Sequence, residues 1–400
     1  MSATLLFLIL CALAAAGFLI GRYKAISAAG GDLRSLHSLT HYHGWGIALA
    51  TFLAGLTVLV GLSLASSPFP ALAGPIVLPG VVLVAAVAAF VVSYLRIERD
   101  FRARNYVEAM VLGLLMLASS IAILTTVSIV LSMLFETARF FQQYSWTSFF
   151  FGAEWSPNFR GNSNLGMLPL LWGTLYVSFI ALAVAVPVGL FAAIYLVEYA
   201  TPRFRSMAKP AIEILAGIPT IVYGLFALIT VGPILRDYFA SPLGLGQSSA
   251  SVMTAGLVMG IMLIPFVSSL SDDIINAVPR TMRDGSLGLG ATKSETIKRV
   301  VIPAALPGIV GAILLAASRA IGETMIVVLG AGAAARMSLN PFEAMTTVTV
   351  KIVSQLTGDT DFASPETLVA FALGITLFAF TLGLNVLALY IVRRYREQYE

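Results

Sequence analysis

Charge and cysteine are both scarce in this sequence, and each scarcity excludes a class of protein. Charged residues make up 11% of the 400 positions, whereas soluble domains carry about a quarter. This shortage excludes a soluble globular fold, and the 58% of hydrophobic residues indicates a chain embedded in a lipid bilayer. The single cysteine, Cys11, lies in an apolar run, so no disulfide can form within the chain.

Motifs for catalysis and metal binding are also missing. All three histidines lie within residues 37–43, but only Asp32 is near them as a further ligand, so an interfacial loop anchored by Tyr42 and Trp45 is favoured over a metal site. The stretch Gly288–Ser294 looks like a phosphate-binding loop, but threonine precedes its lysine and no apolar strand leads into it. No HExxH motif or serine–histidine pair at one depth occurs, which disfavours an enzyme.

Nine apolar runs are long enough to cross a bilayer. They lie at about 3–20, 45–66, 72–95, 106–135, 168–196, 211–231, 252–270, 304–332 and 364–392. Their number and length predict an all-α polytopic membrane protein. No lysine or arginine precedes the first run, so we do not interpret it as a cleaved signal.

The basic residues predict how the chain crosses the membrane. Most of the 24 lysine and arginine residues fall in alternating loops, including Arg96–Arg104 and the loop before the eighth run. Because cytoplasmic loops carry the excess of positive charge, we expect the N-terminus outside and the C-terminus in the cytoplasm. The basic stretch Arg96–Arg104 also divides the chain into a three-helix region, 1–100, and a six-helix region, 101–400. We expect no nucleic-acid partner.

A polar, basic stretch between two apolar runs, residues 279–307, is the most distinctive part of the sequence. Gly290 interrupts its helical pattern, and Thr292–Glu295 has the capping-box spacing that begins a second short helix. Pro303 and Pro307 are expected to end that helix before the next span. The 279–307 segment therefore predicts two short helices that are hinged at a glycine and available to a cytoplasmic partner.

Two ionisable residues, Arg319 and Glu323, lie within the apolar run 304–332. A charge at that depth costs several kcal/mol unless it is paired or faces a polar cavity. Their i, i+4 spacing lets the two side chains meet on one helix. Two interpretations remain: a structural ion pair, or an anion path lined by Arg319 in which Glu323 holds or releases the anion.

Two further stretches carry structural signals. Gly217 and Pro219 predict a break in the run 211–231, which is either a packing kink or a gate. The external segment 138–165 is rich in aromatic residues, which form either a belt at the outer interface or a docking surface for a substrate-delivering protein. The aromatic residues are Phe140, Phe141, Tyr144, Trp146, Phe149, Phe150, Phe151, Trp155 and Phe159.

The 279–307 segment resembles the EAA loop of ABC-importer permeases. Asp-Gly-Ser stands where that family usually has Glu-Ala-Ala, a glycine follows, and an apolar residue and a proline come about a dozen positions later. The matching residues are Asp284, Gly285, Ser286, Gly290, Ala291, Ile302 and Pro303.

Three more stretches, Pro169–Leu190, Leu215–Gly224 and Ser318–Val327, occur in the order that is typical of phosphate-specific ABC-importer permeases. The chain is similar to the PstC-type subunit over nearly all of residues 140–400. The stretch LHSLTHYHG, residues 36–44, resembles the extended N-terminus of some PstC-type proteins.

This resemblance implies a type I ABC-importer permease core of six transmembrane helices with about three extra N-terminal ones, in a bacterial inner membrane. It implies a PstA-type second permease subunit, two cytoplasmic ATPase subunits and a periplasmic phosphate-binding protein as partners. The EAA-like residues would couple the chain to the ATPase subunits, and Arg319 and Glu323 would lie on the anion path. The chain itself would bind no cofactor and catalyse no reaction, since ATP and Mg²⁺ belong to the ATPase.

Alternatives remain open at this point. A second hypothesis within the same class is a permease for another oxyanion, such as phosphonate, sulfate or molybdate. An ion-driven carrier that acts without an ATPase is disfavoured, because it leaves the 279–307 segment unexplained.

Overall fold

A computed structural model describes the chain at residues 3–30, 34, 36–65, 77–158, 163–358 and 364–396. These residues are almost entirely helical, which confirms the predicted all-α class. The chain divides into two compact units, Met1–Val127 and Ser128–Glu400. Helix α4 (Ala103–Gln143) runs through this boundary. The predicted division near residue 100 stays a prediction.

The first unit contains α1 (Ala3–Ala28), α2 (Thr40–Ala65), α3 (Val77–Leu95) and the beginning of α4. Helix α1 packs along α2, and α2 packs along α3. Glycine permits the first of these contacts, since a Cβ atom at Gly44 would lie 2.6 Å from the carbonyl oxygen of Phe18.

The loop predicted around the histidines is shorter than expected. Helix α2 begins at Thr40, so Tyr42, His43 and Trp45 are helical rather than part of a loop. His43 is only 1% exposed. The reason is tertiary packing, because the first turn of α2 lies against α1 and the His43 carbonyl comes close to Gly21.

The second unit holds the remaining elements. Its longer helices are α6 (Leu168–Ile194), α7 (Pro202–Ala216), α10 (Val252–Ala277), α13 (Ile302–Ile321), α15 (Val348–Gly358) and α16 (Pro365–Arg396). The shorter helices are α5 (Trp146–Phe151), α8 (Thr220–Phe226), α9 (Gly232–Leu235), α11 (Arg280–Gly288), α12 (Lys293–Thr296) and α14 (Met325–Gly330). Four π-helical segments lie at Tyr195–Tyr199, Ala227–Val231, Arg236–Ala240 and Ile297–Val301.

Helix α10 lies at the centre of the second unit. It packs along α6 over most of its length and also contacts α13 and α14. Small residues allow this close approach: a Cβ atom at Gly256 would lie 2.7 Å from the Cβ atom of Ile180. The main apolar core is formed by α6, α8, α10, α13 and α14 around the buried side chains of α10.

Among the described residues, nine helices are long and apolar enough to cross a membrane, in agreement with the predicted number. Two predicted spans have wrong bounds. The run 211–231 includes the end of α7, none of whose residues is buried, and the span there is Thr220–Ala240. The run 304–332 is interrupted after Ile321, where α13 ends.

A small hairpin and an aromatic cluster precede α6. Strands β1 (Trp155–Ser156) and β2 (Asn164–Leu165) pair in antiparallel register. Phe140 and Phe149 are fully buried in this cluster, whereas Phe151 is 71% exposed. The aromatic segment is therefore partly a packed core and not only a surface belt. Phe159, which the sequence placed in the same group, lies outside the described residues.

Candidate functional site

The helix that carries Arg319 stops two residues later. Helix α13 ends at Ile321, and α14 begins at Met325 after a three-residue interruption. The Glu323 carboxylate accepts hydrogen bonds from the backbone N–H groups of Thr324 (3.1 Å) and Met325 (3.0 Å). Glu323 therefore satisfies donors at the start of α14, as N-terminal carboxylates commonly do.

Of the two interpretations of Arg319 and Glu323, the ion pair between them does not form. The helix does not continue through both residues, so the i, i+4 geometry is lost, and the Glu323 carboxylate turns to α14 instead. Within the part of the chain that the structure describes, no carboxylate lies within 4.0 Å of the Arg319 guanidinium. That guanidinium is exposed, and its carbon lies 5.3 Å from the ring centroid of Phe266.

Phe266 indicates the depth of the arginine. It lies near the midpoint of α10, which is one of the nine candidate spans. The Arg319 charge is therefore level with the middle of this candidate span. A charge at the middle of a span needs an opposite charge or a polar cavity.

The interruption is tied to α15 by a hydroxyl group. Thr349, on the first turn of α15, donates a hydrogen bond from Oγ1 to the backbone carbonyl of Glu323 at 2.9 Å. The start of α15 is in turn held by α6, because the backbone N–H of Val348 donates to Thr174 Oγ1 at 3.0 Å. Next to this bond, a Cβ atom at Gly173 would lie 2.1 Å from the carbonyl oxygen of Thr346.

Helix α14 is packed between α8 and α10. A Cβ atom at Gly224 would lie 2.9 Å from the carbonyl oxygen of Met325, and one at Gly330 would lie 3.4 Å from the Cα atom of Ala255. The short helix after the interruption is thus enclosed by its neighbours.

The predicted helix break at Gly217 and Pro219 is present. It separates α7 from α8, so it lies before the span and not inside it. Tyr223 bridges the break, because its hydroxyl donates to the carbonyl of Leu215 at 2.8 Å. Whether this break moves as a gate stays a prediction.

The 279–307 segment has the predicted hinge. Helix α11 ends at Gly288, and Gly290 has a φ of 86°, a conformation that favours glycine. Thr292 and Glu295 form the predicted capping box at the start of α12. A hydrogen bond of 2.9 Å between the hydroxyl groups of Ser286 and Thr296 joins the two helices.

The EAA-like residues are distributed over this hinge. Asp284 and Gly285 are exposed on α11, while Ile302 and Pro303 begin α13. Near the turn, Leu289 is 92% exposed, so the hinge presents an apolar side chain outward from a polar segment.

The prolines of the segment do not end the second helix, which corrects the prediction. Helix α12 continues through the π-helical segment Ile297–Val301 into α13, and the whole stretch Lys293–Ile321 is one candidate span. Pro303 lies in the first turn of α13, where a missing N–H is tolerated.

The sequence did not predict two buried charge networks near this segment. Arg283 on α11 forms an ion pair of 2.6 Å with Glu198, in the π-helical segment that ends α6. Arg205 and Lys209 on α7 both bind Asp272 on α10, at 2.9 and 2.8 Å. No local signal marks these pairs, since the partners lie 63 to 85 residues apart in the chain.

The Asp272 network holds α7 against α10. The Asp272 side chain is only 3% exposed, and each cation is about one-third exposed. The hydrogen bond to Asp272 raises the pKa of Lys209 above its ordinary value, so the lysine stays protonated.

Comparison with protein families matches two parts of the chain. Residues 185–397 match the family described as binding-protein-dependent transport system inner membrane component. Residues 7–71 match a family described as phosphate ATP-binding cassette transporter.

Individual relatives and a solved structure agree with these matches. The phosphate transport system permease protein PstC of Xylella fastidiosa is 32% identical over 316 residues, covering 74% of this chain and 94% of that protein. PstC 1 of Mycobacterium tuberculosis is 34% identical over 278 residues, covering 62% and 81%. The fold is similar to that of a bacterial alginate ABC transporter solved with its alginate-bound periplasmic protein (TM-score 0.51, 16% identity, covering 73% of this chain and 97% of that chain).

The family match covers more than half of the chain, and the Xylella relative is covered almost completely. The predicted family and the type I ABC-importer fold are therefore confirmed. This chain belongs to the binding-protein-dependent transport system inner membrane component family.

Proposed function

We propose that this chain is the PstC-type permease subunit of an ATP-driven phosphate importer. The observation that carries the proposal is the Arg319 guanidinium, which lies beside Phe266 near the midpoint of α10 and has no carboxylate partner among the described residues. A fixed positive charge in an apolar layer favours an anionic substrate. The names of the relatives support phosphate as that anion.

The substrate path then runs past the interruption between α13 and α14. Arg319 attracts the anion, and Glu323, held at the start of α14, repels it onward or limits how long it stays. An anion site must bind weakly enough to release its substrate, and a nearby carboxylate provides that limit.

ATP hydrolysis reaches this path through the 279–307 segment. Asp284, Gly285 and the exposed Leu289 lie where a cytoplasmic ATPase subunit would contact the hinge. ATP and Mg²⁺ are bound by that partner, so this chain itself binds no cofactor and catalyses no reaction.

The partners follow from the same assignment. A PstA-type subunit completes the permease, two ATPase subunits bind on the cytoplasmic side, and a periplasmic phosphate-binding protein delivers the substrate. The N-terminus lies outside and the C-terminus in the cytoplasm, so that the basic 279–307 segment faces the ATPase. Residues 1–100 extend a core formed by 101–400.

Reconstitution tests the proposal directly. The full chain, its second permease subunit and the ATPase are placed in liposomes, and uptake of phosphate, sulfate, molybdate and phosphonate is measured with the matching binding protein. We expect phosphate uptake that requires both ATP and the ATPase. Uptake of sulfate but not phosphate would contradict phosphate as the substrate. Uptake without the ATPase would contradict an ATP-driven mechanism.

A further inference from the structure

The end of span α6 is held by both helices of the 279–307 segment. Arg283 on α11 pairs with Glu198, and the Lys293 ammonium on α12 lies 5.2 Å from the ring centroid of Tyr199. Both contacted residues belong to the π-helical segment Tyr195–Tyr199 that directly continues α6.

The Arg283 contact is the stronger of the two. The arginine and glutamate side chains are 19% and 10% exposed, so water screens their charges little. The same guanidinium donates through Nη2 to the carbonyl of Ile275 near the end of α10, at 2.5 Å. One side chain therefore joins α11 to the ends of two spans.

Apolar packing surrounds this ion pair. A buried cluster beside it contains side chains from the ends of α6, α10 and α13, namely Ala193, Ile275, Val278, Val301, Ala305 and Ile309. A segment attached both by a buried ion pair and by a packed core moves with its neighbours and does not slide past them.

We propose that Arg283 and Glu198 are the positioning residues through which movement of the 279–307 segment is delivered to span α6. The inference rests on the proposed function, because it assumes that an ATPase moves this segment. It adds a specific transmitting contact, whereas the exposed EAA-like residues only receive the partner.

Continuous contacts lead from this pair to the interruption. Helix α6 packs closely on α10, since a Cβ atom at Gly260 would lie 2.8 Å from the Cβ atom of Val184. At the other end of α6, Thr174 holds the start of α15, whose Thr349 binds the carbonyl of Glu323. A displacement of α6 therefore reaches Glu323 through rigid elements and two hydrogen bonds.

The test measures phosphate transported per ATP hydrolysed by the complete complex in liposomes. The variants are Arg283→Gln, Glu198→Gln and the double charge exchange Glu198→Arg with Arg283→Glu. Arg280→Gln is the matched control, because it removes the same charge from the exposed first residue of α11. Co-purification of the ATPase subunit reports assembly.

We expect Arg283→Gln and Glu198→Gln to assemble and to hydrolyse ATP, with the transport ratio reduced about tenfold, as for residues that carry coupling between distant sites. The charge exchange should recover part of the ratio, because it restores the ion pair but not the bond that Arg283 donates to the Ile275 carbonyl. Arg280→Gln should keep the ratio. A purely structural role would lower hydrolysis, transport and assembly together and leave the ratio unchanged.

Each other result has a defined meaning. An unchanged ratio of phosphate transported per ATP in Arg283→Gln and Glu198→Gln overturns the inference. Loss of assembly in all three variants also overturns it, because the pair would then serve folding alone. A wild-type complex that moves no inorganic phosphate contradicts the proposed function instead, so the two failures are distinguishable.

Discussion

The hydroxyl group of Thr349 binds the backbone carbonyl of Glu323 at 2.9 Å and thereby satisfies an acceptor that the end of α13 leaves free. The two residues are 26 positions apart, and the bond joins α15 to the interruption after Arg319. It holds the backbone of the residue whose carboxylate binds the N–H groups at the start of α14.

Removing this hydroxyl should loosen the interruption. Thr349→Val keeps the side-chain shape but leaves the Glu323 carbonyl without its donor, at a cost of about 1–3 kcal/mol. We expect a lower thermal unfolding midpoint in detergent and reduced phosphate uptake. Thr357→Val is the control, since that exposed hydroxyl donates only within its own helix, to the carbonyls of Val353 and Ser354. Equal effects of the two substitutions would remove Thr349 from the site.

Neutralising Arg319 should suppress transport and spare assembly. Arg319→Gln removes the positive charge beside Phe266. We expect uptake to fall about a hundredfold, the usual loss when one donor to a critical anion is removed. Arg336→Gln is the control: its guanidinium is 54% exposed and lies 3.5 Å from Glu343 in a loop. Uptake and co-purification of the ATPase are measured together. Near-normal uptake in Arg319→Gln would contradict the anion path.

A side chain at Gly290 should distort the hinge and thereby uncouple uptake from ATP hydrolysis. Gly290 has a φ of 86°, where a β-branched residue is strained, so Gly290→Val should shift the angle between α11 and α12. We expect normal membrane insertion and loss of ATP-linked uptake. Gly244→Val is matched for strain, because Gly244 has a φ of 67° and, like Gly290, open space around it. Normal uptake in Gly290→Val would exclude the hinge from the mechanism.

Asp272 should contribute far more to stability than its neighbour Asp273. Asp272→Asn leaves two cations facing a buried neutral group, and we expect a loss of about 2–4 kcal/mol, less than for a fully buried pair because both cations are partly exposed. Asp273→Asn should change stability by no more than about 0.5 kcal/mol, since its side chain is 70% exposed. Thermal unfolding in detergent measures both. Similar losses of stability in the two variants would show that the Asp272 network contributes little to the stability of the fold.

High pH should weaken the same network. The hydrogen bond to Asp272 raises the pKa of Lys209. Its stabilisation is therefore fully present below the unfolded pKa of about 10.4 and is lost as the pH rises through the higher folded-state pKa. The stability difference between wild type and Lys209→Met should stay constant from about pH 7 to about pH 9 and shrink above about pH 10.5. A decrease already below about pH 9 would contradict this assignment.

Features that depend on a few neighbouring residues were predictable from the sequence. Thr292 and Glu295 share one helical turn, so their spacing alone predicted the capping box that the structure contains. The hinge at Gly290 and the break before Pro219 were predicted for the same reason, because glycine gives the local backbone more freedom and proline restricts it.

Features that depend on packing were not predictable. No proline lies between Pro307 and the interruption after Arg319, so no proline marks where α13 ends. The interruption instead accompanies the packing of α14 between α8 and α10. Glu323 therefore faces a helix start and not Arg319. Likewise, Arg283 finds Glu198 only because α11 folds back beside the end of α6, which no local pattern records.

Gly173 tolerates no side chain, because even a methyl group would overlap the carbonyl oxygen of Thr346. Alanine at this position would act as a wedge, forcing the chain before α15 away from α6 and lengthening the bond between Thr174 and Val348. A single added carbon, introducing no polarity, would thus test whether α15 must stay attached to α6 for the region around Arg319 and Glu323 to keep its shape.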